Sequence, residues 1–122
     1  MTRYMEILGL HHVNLNVHSL EDSLAFYVDG LGCSEFSRPG FSIDGAWLRI
    51  GAHELHLMVR SDAVIDRSQH FALTVTNIEQ CRRHLDAKGI SYQVAPEIAG
   101  VNRQIFLRDP SGNRIELNLV TN

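Results

Sequence analysis

The sequence predicts an α+β fold in which two tandem βαβββ modules form a curled mixed sheet around a metal-binding cup. Three observations support this prediction: the length, an internal repeat and the alternation of side chains along the strands. At 122 residues with 44% hydrophobic side chains, the chain is long enough for one core, so residues 1–122 are expected to form one domain. The repeat divides this domain into module one, at about 8–60, and module two, at about 67–121.

The repeat is visible in two motifs that recur about 60 residues apart. The sequence HVNLNV at 12–17 is echoed by HFALTV at 70–75, and WLR at 47–49 is echoed by FLR at 106–108. Because chance similarity seldom keeps one register across a whole domain, the two halves are interpreted as copies of one unit.

Each unit is expected to begin with a strand and a helix. The alternation of apolar and polar residues predicts strands at 12–17 and 70–75. Ser19 and Asn77 occupy helix N-cap positions, and glycines follow both helical stretches. The apolar residues at helical spacing predict the buried stripes: Leu20, Leu24, Tyr27 or Val28, and Leu31 in the first helix, and Ile78, Cys81 and Leu85 in the second.

Each unit is expected to end in three further strands. Turn sequences at 51–53 and 109–113 predict hairpins that span 46–59 and 104–120. The remaining strand of each unit falls within 34–44 or 91–101.

Four potential metal ligands are expected on the sheet faces that point away from the helices. If the apolar residues of each strand face the helix of their own unit, the polar residues point to the opposite side. The donors on that side are His12, His56, His70 and Glu116, which occupy equivalent positions of the repeat. Three imidazoles and a carboxylate suit a divalent ion such as Ni, Zn, Fe, Mn or Co. The other histidines are expected to be structural or solvated: His11, His18, His53 and His84.

The same alternation predicts the residues that line the cup and contact a substrate. They are Asn14, Asn16, Trp47, Arg49, Met58, Phe106 and Arg108. Two arginines with two aromatic rings indicate a small anionic substrate with an apolar part. The alternative is that the arginines form salt bridges at strand ends, for instance with Asp109.

Composition excludes several other classes of protein. The net charge of −3 provides no basic field for nucleic acid, and the apolar runs are too short to span a membrane. Cys33 and Cys81 are too few for a disulfide scaffold, so a reduced, cytoplasmic protein is expected, without a secretory signal.

Five stretches that cover nearly the whole chain resemble the vicinal oxygen chelate superfamily. They are LHHVNLNVHSLEDSLAFY, GAWLRIG, ELHLM, HFALTV and IFLRDPSGNRIEL. The superfamily includes glyoxalase I, extradiol dioxygenases and the fosfomycin- and bleomycin-resistance proteins. The resemblance implies paired βαβββ modules around a metal, usually in a dimer. The superfamily's metal positions fall on His12, His56, His70 and Glu116.

The chain differs from individual members at several of these positions. Glyoxalase I has a glutamate, which shares in proton transfer, where this chain has His56, and an arginine where it has Asn16. Both differences weigh against a lactoylglutathione lyase. Fosfomycin-modifying enzymes have a tyrosine at Phe106 and a threonine at Asn14, so fosfomycin is a poor candidate substrate. For an extradiol dioxygenase, two histidines and Glu116 would supply the iron ligands.

The favoured hypothesis is a metal-dependent, glyoxalase-like lyase, isomerase or epimerase. A small substrate would chelate the metal through adjacent oxygens, and an enediolate or oxyanion would be stabilised. Glu116 is the expected general base, and His56 occupies the second catalytic position. The alternatives are an Fe(II)-dependent extradiol-type dioxygenase and a non-catalytic protein that binds a drug or metabolite. A homodimer is expected, with the cup built either within one chain or by exchanged modules.

Overall fold

The structure is a computed structural model, and it describes residues 5–96 and 103–119. Within these residues, each half of the chain forms a four-stranded sheet. The strands are β1 (His12–Val17), β2 (Ser34–Phe36), β3 (Gly45–Ile50), β4 (His53–Val59), β5 (His70–Val75), β6 (Gln93–Val94), β7 (Arg103–Arg108) and β8 (Arg114–Leu119). The predicted α+β fold of two tandem modules is therefore confirmed. The parts of the predicted strands at 97–101 and 120 lie outside the described residues.

The two sheets have the same topology. Their strand orders are β1-β4-β3-β2 and β5-β8-β7-β6. The strand pairs β1–β4 and β5–β8 are parallel, and all the other strand pairs are antiparallel. Among the residues that the structure describes, β1 and β5 each pair with one strand only, so both are edge strands and the mixed sheet consists of two separate halves.

The first helix departs from regular α-helical geometry. Helix α1 (Leu20–Leu24) begins at Ser19, whose Oγ accepts a hydrogen bond from the Asp22 N–H at 3.2 Å. It continues as a π-helical segment (Ala25–Gly30). In a π-helix the wider turn shifts the residues around the axis, and the side chains that become buried here are Phe26 and Tyr27. The predicted stripe is confirmed, since Tyr27 is buried and its other members are partly buried and packed against the core: Leu20, Leu24, Val28 and Leu31. Phe26 is an additional buried residue outside that stripe.

The second helix follows the sequence prediction closely. Helix α2 (Ile78–Ala87) begins at Asn77, whose Oδ1 accepts a hydrogen bond from the Gln80 N–H at 2.9 Å. Its side chains Ile78 and Leu85 are buried in the core, and Cys81 is partly buried. Gly89 follows the helix with a φ of +68°, a conformation that a residue with a Cβ rarely adopts.

A single apolar core joins the inner faces of the two sheets to the helices. It contains the inward residues of β3, β4, β7 and β8: Ala46, Leu48, Leu55, Leu57, Ile105, Leu107, Ile115 and Leu117. The predicted alternation of these strands is confirmed, so their polar residues lie on the faces opposite the core.

Asp109 joins the two modules through a buried hydrogen-bond network. One of its carboxylate oxygens accepts a hydrogen bond from the Tyr27 hydroxyl of module one at 2.8 Å. The other accepts from the N–H groups of Ser111 and Asn113, at 2.9 and 2.8 Å, and so holds the turn between β7 and β8. Because the Asp109 carboxylate is only 5% exposed, its charge depends on these donors.

In the part of the chain that the structure describes, no helix is long and apolar enough to span a membrane.

Candidate metal centre

The four predicted ligands lie in two pairs, one on the polar face of each sheet. In module one, the rings of His12 and His56 stack with their centroids 4.0 Å apart. In module two, His70 Nε2 lies 3.4 Å from Glu116 Oε1. No three histidine, cysteine or carboxylate side chains among the described residues cluster so as to hold a metal ion. The predicted faces are therefore correct, whereas the meeting of all four donors at one point is not seen within one chain.

The module-two pair is held by hydrogen bonds that direct its free donor atoms toward each other. His70 Nδ1 donates to the Ser68 carbonyl oxygen at 3.2 Å, which leaves Nε2 as the lone-pair atom of the neutral ring. Glu116 Oε2 accepts hydrogen bonds from the side-chain amides of Gln104 and Asn118, at 3.1 and 2.6 Å. Its Oε1 faces His70 Nε2. Two acceptors in this position repel each other unless a proton or a metal ion lies between them.

The module-one pair is part of a three-ring stack. His56 lies between Trp47, at a centroid distance of 4.5 Å, and His12, at 4.0 Å, with interplanar angles of 12° and 15°. In parallel rings the nitrogen lone pairs also lie in parallel planes, so one ring must rotate before both can bind the same ion. His56 is only 9% exposed although it lies on the polar face.

Glu54 is a functional candidate that the sequence analysis did not select. His56 Nε2 donates a hydrogen bond to Glu54 Oε1 at 2.9 Å, and His11 Nε2 lies 4.0 Å from the other carboxylate oxygen. This hydrogen bond, together with the charges of His11 and Arg49, lowers the pKa of the Glu54 carboxyl. The donation also leaves Nδ1 as the lone-pair atom of neutral His56. Carboxylates often orient metal-binding histidines in this way.

A signal for Glu54 was present in the sequence. Strand alternation puts Glu54 on the same face as His56, two residues away. The equivalent position in module two is Arg114, and the repeat therefore gave no reason to choose Glu54. His11, expected to be structural or solvated, is exposed and has its Nδ1 2.9 Å from Nδ1 of His12.

The predicted cup residues of module one share the face of the histidine pair. Asn14 and Trp47 are the strand neighbours of His56 on either side, and Arg49 is the neighbour of Glu54. Asn16 and Met58 face each other one step further along β1 and β4. The Arg49 guanidinium lies 4.2 Å from the centre of the Phe36 ring.

The predicted cup residues of module two, Phe106 and Arg108, lie near two further arginines, Arg67 and Arg114. Phe106 packs edge-on against His70 at 6.1 Å, and the Arg114 guanidinium lies over the Phe106 ring at 4.1 Å. Arg108 donates to the carbonyl oxygens of Gly112 and Arg67. Burial, together with the charges of Arg67 and Arg114, lowers the pKa of Arg108. The alternative salt bridge from Arg108 to Asp109 is absent from the described residues.

Two of the remaining histidines have structural roles, in agreement with the sequence. His18 Nε2 lies 2.7 Å from the Ala63 carbonyl oxygen, and His84 Nε2 lies 2.6 Å from the Gly30 carbonyl oxygen. The second of these bonds joins α2 to the end of the first helix. His53 is exposed at the start of β4.

The comparisons with known proteins agree with this architecture. The model of the glyoxalase/bleomycin resistance protein/dioxygenase superfamily matches residues 9–117. The chain belongs to this superfamily. It is 27% identical, over 124 residues, to glyoxylase I 4 of Arabidopsis thaliana, a match that covers 93% of this chain and 71% of that protein. The resemblance noted in the sequence is thus confirmed at the level of the superfamily.

Solved structures of several other proteins share the fold. A glyoxalase family protein from Bacillus anthracis is 26% identical with a TM-score of 0.86, over 99% of this chain and 100% of that chain. The fosfomycin resistance protein FosX of Listeria monocytogenes, solved with Mn(II) and 1S,2S-dihydroxypropylphosphonic acid, is 21% identical with a TM-score of 0.83 over 95% of each chain. TnmS3, an antibiotic binding protein from a Streptomyces species, is 20% identical with a TM-score of 0.78, over 97% and 100% of the two chains. Because the fold serves both resistance and binding proteins, function has to be argued from the site.

Proposed function

We propose that the chain is a metal-dependent, glyoxalase-like lyase, isomerase or epimerase that acts on a small anionic substrate. The observation that carries the proposal is the arrangement of His70 and Glu116. His70 Nε2 and Glu116 Oε1 face each other at 3.4 Å, while the other polar atoms of both groups are held by neighbouring residues. Neighbouring groups orient imidazole and carboxylate ligands in this way in metal sites, which supports the proposal.

The module-one pair supplies the other two donors. Equivalent strand positions place His12 and His56 as His70 and Glu116 are placed in module two. Three imidazoles and one carboxylate match the preferences of Mn, Fe, Co, Ni and Zn. Four protein donors leave open positions on a five- or six-coordinate ion, and a substrate would occupy them.

The proposal includes a homodimer in which two chains share each metal site, so that the four donors can come together. Within one chain the modules are already joined by the Tyr27–Asp109 and His84–Gly30 hydrogen bonds, and the donor pairs stay apart. His12 and His70 of one chain do line a common cavity of about 590 Å³ beside β1 and β5, but no three donors among the described residues are close enough to hold an ion there.

The apolar segment that precedes β1 favours the same dimer. Its side chains are strongly exposed, with Leu8 91% and Met5 83% accessible. Exposed apolar patches beside open sheet edges are typical of protein–protein interfaces. A second copy of the chain would cover the segment and the edges, and would bring its own module two next to module one.

The charge of the cup favours an anionic substrate. Arg108 and Arg114 are directly opposite each other on β7 and β8, and Arg67 lies beside them. Like charges opposite each other on a sheet are destabilising, and among the described residues no carboxylate forms an ion pair with any of the three. An anionic group of the substrate would relieve this repulsion.

The chemistry follows from the donor set. A bound divalent ion supplies Lewis-acid polarisation of two adjacent substrate oxygens. Glu116 Oε2 is held by two amides, so Oε1 would be both the metal-binding oxygen and the general base. It would take a proton from the carbon beside the chelating oxygens, and return it to the neighbouring position, only after the substrate had displaced it from the ion. Trp47 stacks on His56 and Phe106 packs edge-on against His70, so each donor pair has an aromatic ring on one side.

Elemental analysis of the protein, purified without chelators, tests the proposal. We expect a stoichiometric divalent ion, together with a rise in melting temperature when that ion is returned to the stripped protein. Oxygen-sensitive iron would favour the dioxygenase instead. A protein that contains no metal and gains no thermal stability from any of the five ions would be a binding protein, and the proposal would fail.

A further inference from the structure

The loop between β2 and β3 carries an arginine and a phenylalanine that the sequence analysis did not select. This loop, at 37–44, lies beside the three-ring stack of module one. Arg38 and Phe41, together with Trp47 and His56, line a cavity of about 270 Å³ that opens on the polar face of the sheet. Cavities for drug-sized ligands measure about 300–1,000 Å³, so this one has room for a single ring.

The walls of this cavity are aromatic on two sides. The centroids of Phe41 and Trp47 lie 6.0 Å apart with their rings inclined at 51°, and His56 stacks on the Trp47 ring at 4.5 Å. At this separation the two rings contact each other, and Trp47 also contacts Phe36 at 5.9 Å, so a further flat ring would pack against the outer edges of Phe41 and Trp47 at the cavity rather than between them.

The Arg38 guanidinium is fixed in place but is not neutralised. It lies 4.7 Å from the centre of the Phe41 ring, and Nη2 donates to the Ile43 carbonyl oxygen at 2.8 Å. It also packs over Gly45, where an added Cβ would approach Nη2 to 3.0 Å. The position of the cation therefore depends on the loop carbonyl, on the Phe41 ring and on the absence of a side chain at residue 45.

One donor atom of this guanidinium lacks a hydrogen-bond acceptor. Arg38 Nε is buried and has no acceptor among the described residues, and no described carboxylate forms an ion pair with Arg38. A buried donor without a partner is destabilising, more so on a charged group. Because Nε itself is buried, a ligand carboxylate would instead bond to the guanidinium from the cavity side and balance its charge.

We propose that this cavity is a subsite for an aromatic ring that carries a carboxylate, so that the substrate of the cup is an aromatic acid or contains one. The ring packs in the cavity against Phe41 and Trp47, and the carboxylate accepts hydrogen bonds from the Arg38 guanidinium. The proposal rests on the proposed function in one respect, since it assigns to the substrate the part that lies beside His56. The subsite itself lies within one chain and needs no metal.

Fluorescence provides a direct test, because Trp47 is the only tryptophan of the chain. Benzoate is titrated into chelator-treated protein, with neutral benzamide and non-planar cyclohexanecarboxylate as matched probes. N-acetyltryptophanamide serves as the blank for inner-filter effects. We expect a saturable change with benzoate and affinities about tenfold weaker for benzamide, because the charge-assisted hydrogen bond is lost. We expect cyclohexanecarboxylate to bind more weakly than benzoate, because it cannot stack.

Variants test whether the fluorescence change on benzoate binding arises at the loop 37–44. Arg38→Gln is expected to weaken benzoate binding about tenfold and to abolish the preference over benzamide. Arg83→Gln removes one charge from α2 and is expected to change neither affinity. Phe41→Leu replaces the aromatic ring by an apolar side chain that cannot stack. It is expected to lower the affinity for benzoate more than the affinity for cyclohexanecarboxylate.

The outcomes separate this proposal from the metal site. Glu116→Gln is expected to leave the benzoate titration unchanged. A protein that binds benzoate as described but contains no metal would keep the subsite and lose the proposed function. Equal affinities for benzoate and benzamide in the wild-type protein, or the absence of any saturable change, would overturn the subsite even if the metal is present.

Discussion

Modules one and two share a backbone plan but differ in the chemistry that it carries. In both, one edge strand pairs in parallel with its neighbour and the other strand pairs are antiparallel. Both also have a histidine at the start of that edge strand, His12 in module one and His70 in module two. Opposite them lie Glu54 in module one and Arg114 in module two. The repeat therefore determines where a side chain lies, whereas the residue at that position determines whether the face presents a carboxylate or a cation.

The two donor pairs are consequently supported in different ways. The Glu116 carboxylate is held by neutral amides, and its partner His70 is oriented by a backbone carbonyl. His56 is oriented by the Glu54 carboxylate and packed between two rings. For the proposed metal site, the two donors of module two therefore already face each other, whereas module one requires a ring to rotate.

The turns between the last two strands differ most in their effect on stability. Asp109 in module two accepts hydrogen bonds from its own turn and from Tyr27 of module one, whereas the turn at 51–52 of module one contains Gly51 and Ala52. We expect Asp109→Ala to lower the free energy of unfolding by about 4 kcal/mol, because buried donors lose a charged acceptor. Urea denaturation followed by circular dichroism measures it. Asp66→Ala, which removes an exposed carboxylate from the linker, is the control, and a loss as large as that of Asp109→Ala would contradict the account.

Removal of the module-two carboxylate is expected to have the largest effect on the metal. Glu116→Gln keeps the shape of the side chain but removes the charge that balances the ion. We expect metal affinity to fall by more than about 100-fold, beyond the 10–100-fold loss that follows removal of a residue that only orients a ligand. Competition with a chromophoric chelator measures the affinity. Unchanged affinity would remove Glu116 from the donor set.

Loss of the module-one carboxylate, Glu54, is expected to have a smaller effect on metal affinity. Glu54→Gln still accepts a hydrogen bond from His56 Nε2 but lacks the charge, so we expect metal affinity to fall about tenfold. Gln104→Leu, which removes one amide from Glu116, is the matched change in module two and should cost a similar factor. If Glu54→Gln were as damaging as Glu116→Gln, Glu54 would itself be a ligand.

The smallest predicted effect concerns pH and the bond that joins the modules. Burial, followed by the charge and hydrogen bond of Asp109, raises the pKa of the Tyr27 phenol above its usual range. Because the folded-state pKa lies above the unfolded one, this stabilisation is complete below about pH 10 and is lost as the pH rises further.

We therefore expect the free energy of unfolding of the wild-type protein to fall more steeply between about pH 9 and about pH 11 than that of Tyr27→Phe. Other groups, including Cys33, whose pKa burial raises to about 11, are common to both proteins and cancel in the difference. Parallel declines would show that the phenol has no part in this pH dependence.

The sequence predicted those parts of the molecule that depend on local periodicity. Alternation in β1 and β4 put His12 and His56 on one face, and Asn77 marked the start of α2. The π-helical segment at Ala25–Gly30 was not predicted, because its pattern of burial differs from the 3.6-residue period on which helix prediction relies. Arg38 and Phe41 were missed for a related reason, since a loop has no periodicity from which to read direction.

Contacts between side chains on one face of a sheet also could not be predicted from the sequence. Alternation put Glu54 on the polar face but could not show that it bonds to His56 rather than to Arg49, because that choice depends on rotamers. Nor could alternation show whether the two donor pairs meet within one chain, since this depends on how the modules pack through Tyr27 and Asp109.

Complementation between variants tests most directly the proposal that each metal site draws one donor pair from each of two chains. One variant lacks the module-one pair (His12→Ala with His56→Ala), and the other lacks the module-two pair (His70→Ala with Glu116→Ala). Each is expected to bind no metal alone. When the two are unfolded, mixed in equal amounts and refolded, half of the dimers contain one of each chain and one intact site. We expect metal content to return to about a quarter of the wild-type value. A mixture that binds no metal, although the wild-type protein does, would show that each site lies within one chain.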